Sequence, residues 1–353
     1  MNWRALKYTT PLLVFGLAWI AFHETGWKAF LPIFWSYMFI PFVELIIPPS
    51  AYNLSAAEEE MEKNDRTYDY ILYAILPLQY IFLFVFLFSL QQPNLDWVTI
   101  AGRVLSMGLL CGAFGINVAH ELGHRKNVYE QWMAKFLLLT SQYMHFFTEH
   151  NKGHHKRVAT REDPSSARLH ESLFEFYPRT IIFSYISAWH IANEEMKKKN
   201  LPIFHWKNEM VQNLLIQLGF LVLIYWLFGT FIFLAYLAAA ALGIGLLETV
   251  NYIEHYGLQR SKKEGGQYER AMPHHSWNSN HALGRIMLFE LSRHSDHHYL
   301  ASRKYQILRH HDDAPQMPTG YPGMMILAHI PPLFFYIMKK QMKKYAVLQP
   351  THR

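Results

Sequence analysis

Long apolar runs alternate with polar, charged segments along this chain. From about Thr10 to Thr25, Phe30 to Ile47, Tyr70 to Leu90, Val98 to Ala119, Val211 to Phe228 and Phe231 to Val250, apolar residues follow one another with few charges. Each run approaches the roughly 20 residues that a helix needs to cross a hydrocarbon core. Their punctuation agrees with helices. Gly26 permits a tight turn, Pro48-Pro49 stops the second run, Gln91-Gln92-Pro93-Asn94 separates the third from the fourth, and Gly229-Thr230 makes a hairpin between the last two. Pro77 is expected to kink the third helix. Two weaker stretches, at about 132–148 and 176–192, carry polar interruptions and read as helices buried in protein or lying in the membrane interface. The stretch Met324 to Met338 is broken by Pro331-Pro332 and is not expected to form a seventh span. The pattern predicts an all-α, single-domain integral membrane bundle of six transmembrane helices. Segments 121–209 and 251–353 would form a helical cap.

Charge orients this arrangement. The turns at 91–97 and 229–230 hold no Lys or Arg, whereas 121–209 and 251–353 are rich in them, for example Arg125, Lys126, Lys152, Lys156, Arg157 and Lys197-Lys198-Lys199. The positive-inside rule makes those segments cytoplasmic, and six spans then leave both termini on that side. Arg4 and Lys7 ahead of the apolar run Pro11 to Phe22 resemble a signal peptide, but Ala21-Phe22-His23-Glu24 lacks a small-x-small cleavage pattern. A retained first span is expected. The net charge of +6 suits anionic lipid or an acidic protein, and the spans argue against nucleic acid. The single cysteine, Cys111, excludes an internal disulfide and a thiolate-held iron–sulfur centre within this chain.

Histidine carries the chemistry. Of 21 histidines, nine fall in four short segments: His120 and His124 in His-Glu-Leu-Gly-His, His150, His154 and His155 in Glu149–His155, His255 in Asn251–Leu258, and His294, His297 and His298 in Arg293–His298. On a helix, spacings of three and four put rings on one face, and neutral imidazole is a common metal ligand. Nine ligands exceed what one ion takes and suit two. Four or five imidazoles per ion exceeds tetrahedral zinc and fits iron. Each segment also brings an acid, Glu121, Glu149, Glu254 and Asp296, placed to orient rings and offset charge from behind. His274, His275, His281, His310 and His311 are not assigned, and His145 reads as an ordinary core histidine. The His120–His124 segment alone matches a zinc-protease pattern with Glu121 as base, but that reading leaves the other imidazoles without a role. A metal transporter would place its ligands near the bilayer midplane, not at the ends of spans.

Together, His120–His124, Glu149–His155, Asn251–Leu258 and Leu291–His298 resemble the motifs of the integral-membrane alkane 1-monooxygenases, within the membrane desaturase and hydroxylase superfamily. The runs Asn151–Thr160, Glu162-Asp163-Pro164, Ser166-Ala167-Arg168 and Ser276–Asn280 are similar too. The segment Asn251–Leu258 favours the alkane and xylene branch over the acyl-chain desaturases and sterol-type hydroxylases. The resemblance implies a non-haem diiron enzyme that inserts one oxygen of O2 at the terminal methyl of a linear alkane. Rubredoxin would supply two electrons, fed by a NAD(P)H-dependent reductase. It implies the same nine histidines as ligands. One departure lies in the second span, where Pro41-Phe42-Val43-Glu44 stands in place of a Pro-Leu-Leu-Asp run. Trp35, Phe39 and Ile40 in that span, with Leu110 and Phe114 in the fourth, are candidates to line a channel that collects alkane from the bilayer.

Overall fold

The computed structural model describes residues 3–345. Among them no β-strand occurs, only the isolated bridges Lys262–Tyr268 and Asn278–Gln316. Five helical stretches are long and apolar enough to cross a membrane: Trp3–His23, Gly26–Ile46, Thr67–Ser89, Trp97–Gly123 and Glu209–His255. The last has 47 residues, about 70 Å of helix at 1.5 Å per residue, twice a hydrocarbon core. It is broken at Gly229, where φ is 75° and ψ is 178°. That positive φ is open to glycine and strained for other residues. The expected hairpin thus collapses to one residue. The first stretch starts at Trp3, ahead of the apolar run, because a 3-10 segment Lys7–Leu12 carries the helix past its charges. The Lys7 ammonium lies 4.7 Å from the centre of the Tyr8 ring. The weaker stretches form helices Val128–Leu139 and Leu173–Lys198, and the late one forms two, Tyr321–Ala328 and Pro331–Lys344.

The chain divides into two compact units. The first comprises residues up to Ser36, Arg66–Lys152 and Tyr185–Leu247. Helices approach closely in it. A Cβ on Gly243 would stand 2.6 Å from the Cβ of Cys111, so only glycine lets those backbones meet. Arg103 is fully buried and donates to the carbonyls of Ser89 at 2.7 Å and Glu24 at 3.0 Å, and to Gln92 Oε1 at 3.0 Å. A cation inside a span is thereby neutralised by the ends of neighbouring helices. Gly123 ends the fourth stretch, so His120 lies within a helix and His124 caps it.

The second unit comprises Tyr37–Asp65, Gly153–Ser184 and the chain from Glu248 onward. Here irregular backbone is held by side chains. Arg293 donates to the carbonyls of Leu308 at 2.6 Å and Tyr52 at 2.7 Å. Trp277 is buried, and its indole donates to the Tyr256 carbonyl at 2.9 Å while its amide donates to that of Glu254 at 2.8 Å. The segment after Ser276 is thus stitched to the end of helix Glu209–His255. Glu44, the departure noted in the second span, is buried and accepts the Gly284 amide at 2.8 Å.

The Gly243 contact gives a test. Gly243→Ala should destabilise the folded protein by about 1–3 kcal/mol through overpacking, read as a lower midpoint of thermal unfolding in detergent. Gly245→Ala, with nothing within 4 Å of its added Cβ, should leave that midpoint near the parent's.

Candidate metal centre

Four of the nine rings meet in the second unit. The coordinating nitrogens of His154, His255, His294 and His298 all lie within 4.8 Å of one another, and all four side chains are buried. The Nε2 atoms of His154 and His298 stand 3.2 Å apart, and those of His255 and His294 stand 3.3 Å apart. Two neighbouring nitrogens bound at about 2.0–2.1 Å to one ion are about 2.8–3.4 Å apart in octahedral or tetrahedral geometry. The spacing therefore fits rings sharing an ion. His155 and His297 also meet in this unit, Nε2 to Nε2 at 3.1 Å. In the first unit His120, His124 and His150 gather, with His150 and His124 Nε2 atoms 3.2 Å apart and the His120 and His150 ring centres 4.4 Å apart.

His150 and His154 lie in a π-helical segment, His150–His154, with i→i+5 bonding. His150 joins the first unit's group and His154 the second's. Such a wide turn is frequent at functional sites, and Trp35–Phe39 and Cys111–Ile116 form two more.

A ligand imidazole must present a lone pair, so its other nitrogen should carry the proton and be held. Asp163 does this for His154. Its Oδ2 lies 2.9 Å from His154 Nδ1 and accepts from Ser166 Oγ at 2.6 Å. Burial by itself would raise the Asp163 carboxyl. His154 and the Ser166 hydroxyl outweigh burial and hold it below the ordinary carboxylate value. The anion in turn fixes the His154 proton on Nδ1 and leaves Nε2 free to coordinate. Ser276 Oγ lies 3.5 Å from His255 Nδ1. His298 is driven well below the ordinary imidazole value, first by burial and then by the neighbouring His294, His155, His154 and His255. The ring is neutral at physiological pH, as a metal ligand must be.

The four acids named from sequence are all buried, in different roles. Glu121 pairs with Arg125 at 2.7 Å, and Arg125 also approaches Asp69 at 3.4 Å. A carboxylate so engaged is poorly suited to be the base of a protease. Glu149 accepts from Ser187 Oγ at 2.7 Å. Glu254 Oε2 lies 3.1 Å from His294 Nε2, the same nitrogen that faces His255, and Oε1 accepts the Tyr321 hydroxyl at 2.6 Å. It therefore stands on the coordinating side of that ring rather than behind it. Asp296 receives both hydrogen bonds of Arg303 at 2.8 Å, the Arg309 amide at 2.9 Å and His311 Nε2 at 2.7 Å. Those donors and the charge of Arg303 overcome its burial and keep the carboxyl low. They anchor the helix His294–Tyr299. His275, His281 and His310 are taken up by Met272, Ser279 and Asn280.

Sequence reasoning missed Asp163, Ser166 and Tyr321. Asp163 lay in a run noted only as similar, nine residues beyond its ring, where no helical period connects them. The channel candidates divide. Ile40, Leu110 and Phe114 are buried, Trp35 is half-buried, and Phe39 is 45% exposed.

Clustered, largely buried imidazoles make a non-haem metal site, and the comparisons agree. Residues 95–328 match the fatty acid desaturase family. Alkane 1-monooxygenase from Ectopseudomonas oleovorans is 37% identical over 330 residues, 93% of this chain and 82% of the relative. The chain belongs to the alkane 1-monooxygenase family. Alkane 1-monooxygenase 1 from Pseudomonas aeruginosa is 46% identical over 249 residues, 70% of this chain and 65% of that relative. The xylene/toluene monooxygenase hydroxylase component XylM from Pseudomonas putida is more distant within this branch, 26% identical over 275 residues, 77% of this chain and 73% of its own.

Asp163→Asn would remove the charge behind His154. Metal retention after dialysis should fall about 10–100-fold in affinity, measured by elemental analysis against a chelator series. Lys197→Ala, which removes only an exposed ion pair with Glu194, should retain metal as the parent does.

Proposed function

We propose that this membrane enzyme hydroxylates the terminal methyl of medium- or long-chain n-alkanes to 1-alkanols, using O2 and two electrons from rubredoxin, which a NAD(P)H-dependent reductase recharges. The observation that carries the reading is the convergence of largely buried imidazoles in a chain of this family. His120, His124, His150, His154, His155, His255, His294, His297 and His298 would hold two irons, with four or five rings on each. Iron there supplies the O2-derived oxidant that a strong aliphatic C–H bond requires and that side chains lack.

The protein's own part is to hold and to exclude. Asp163 keeps the His154 proton on Nδ1. Of the acids beside the rings, Glu121 and Asp296 are engaged by Arg125 and Arg303 and serve to hold their segments, and Glu149 and Glu254 would be the ones to offset cation charge around the ligands. Burial of the rings keeps water from consuming the oxidant. Six spans, with helix Glu209–His255 counted as two about Gly229, place the histidine segments and both termini on the cytoplasmic side, in a bacterium at the cytoplasmic membrane. The basic face there meets an acidic electron donor. Alkane dissolved in the bilayer reaches the site along Trp35, Phe39, Ile40, Leu110 and Phe114.

Purified protein given iron, rubredoxin, its reductase and NADH should convert octane or hexadecane to the 1-alkanol. Conversion of xylene alone would assign the aryl-methyl branch, and a new double bond in an acyl chain would assign a desaturase. Trp35→Ser should extend the accepted chain length, seen as new products on a ladder of alkanes. An unchanged ladder would remove Trp35 from the channel.

A further inference from the structure

An aromatic chain leaves the metal-binding rings of the first unit. Phe146 lies over His150, ring centres 4.7 Å apart and planes at 24°. Tyr143 stacks on Phe146 at 6.1 Å and 24°. Tyr143 then meets His145 at 4.3 Å, His145 meets Tyr185 at 5.1 Å, and Tyr185 meets Trp189 at 6.5 Å. The inner members are buried: Tyr143 is 2% exposed and His145 6%. Tyr185, on helix Leu173–Lys198, is 39% exposed, so the series ends at the surface.

The order of side chains matters as much as their contact. Phenylalanine and neutral imidazole are hard to oxidise, whereas phenol and indole are the most readily oxidised aromatic side chains. The oxidisable groups stand at Tyr143, Tyr185 and Trp189, bridged by the resistant rings Phe146 and His145. His145 is kept neutral because burial lowers it to about 3. Its Nε2 is buried and makes no hydrogen bond, so it is not spoken for by a competing structural contact at that atom. None of these residues is needed to hold metal. An enzyme that makes an oxidant strong enough for a methyl C–H bond has a hazard when O2 is activated and no alkane is bound.

We propose that Tyr143, Tyr185 and Trp189 form a protective electron route that quenches such unused oxidising equivalents. The inference rests on the oxygen-activating iron assigned above. One electron passes inward from Tyr143 across Phe146 to the oxidised centre, which is reduced by one. Tyr185 re-reduces Tyr143, which ends unchanged. Tyr185 loses its phenol proton to water at its exposed edge and becomes a neutral phenoxyl radical. A cellular thiol then returns a hydrogen atom to it, becoming a thiyl radical that pairs to a disulfide. Trp189 shares the radical at the outer end.

The test uses the iron-loaded enzyme with its reducing system and O2, without alkane. Freeze-quenched samples should show a phenoxyl signal by electron paramagnetic resonance, and Tyr143→Phe with Tyr185→Phe should lose most of it. Peptide mapping should find oxidation at Tyr185 and Trp189 in the parent. In Tyr143→Phe with Tyr185→Phe it should move to His150 and its neighbours, and turnovers before iron loss should fall several-fold. Equal iron content and unchanged 1-octanol yield with saturating octane show that these variants fold and work. A parent that makes 1-octanol but shows no phenoxyl signal, or a damage map that the substitutions leave unchanged, overturns the proposal. A parent that makes no 1-octanol overturns the underlying assignment, and the proposal with it.

Discussion

Everything at this site depends on keeping imidazoles uncharged while several of them crowd together away from water. A protonated ring cannot coordinate, and several protonated rings at 3–5 Å would repel one another strongly. Burial sets the sign, since it disfavours the charged form, and His298 shows the result. Burial alone does not choose which nitrogen keeps the single proton. On His154 that choice is made from behind, by Asp163, which can only accept, while Ser276 Oγ stands behind His255 at 3.5 Å. The architecture can be understood as the means of bringing these backing groups to their rings.

The two units solve the problem differently. In the first, one long helix that includes the π-helical turn Cys111–Ile116 brings His120 and His124 from its end, and close helix contact is allowed by small residues such as Gly243. In the second, His255 ends the long helix Glu209–His255 but the other rings come from short helices and irregular backbone, so side chains supply rigidity there. Arg293, Trp277 and Asp296 each tie backbone segments together across long stretches of sequence. Asp296 does so from within a ligand segment, with three donors converging on it, which is why the helix carrying His294, His297 and His298 can be as short as six residues.

Much of this was legible in the sequence because hydrophobicity and ligand spacing are local. The apolar runs located the long helices, Pro48-Pro49 marked the end of the second, and Gly229 marked the break in the last. The histidine segments announced themselves by spacing. What was not legible depends on contacts between distant segments or on subtle local backbone. The π-turn at His150–His154 has no composition cue, so its spacing reads as that of an α-helix. Asp163 was invisible because its link to His154 runs across a turn rather than along a helix. Glu254 was assigned a place behind a ring, and the structure puts it on the ring's coordinating side, since the tilt of a helix end is not written in its periodicity.

The buried guanidinium of Arg103 bears on how such a chain enters a bilayer. Its acceptors, the Ser89 and Glu24 carbonyls, belong to helix ends made earlier in synthesis. A fourth helix released alone into lipid would carry a bare cation. That guanidinium finds its carbonyl acceptors only beside the helices that end at His23 and Ser89, so the fourth helix is satisfied within the bundle and not on its own.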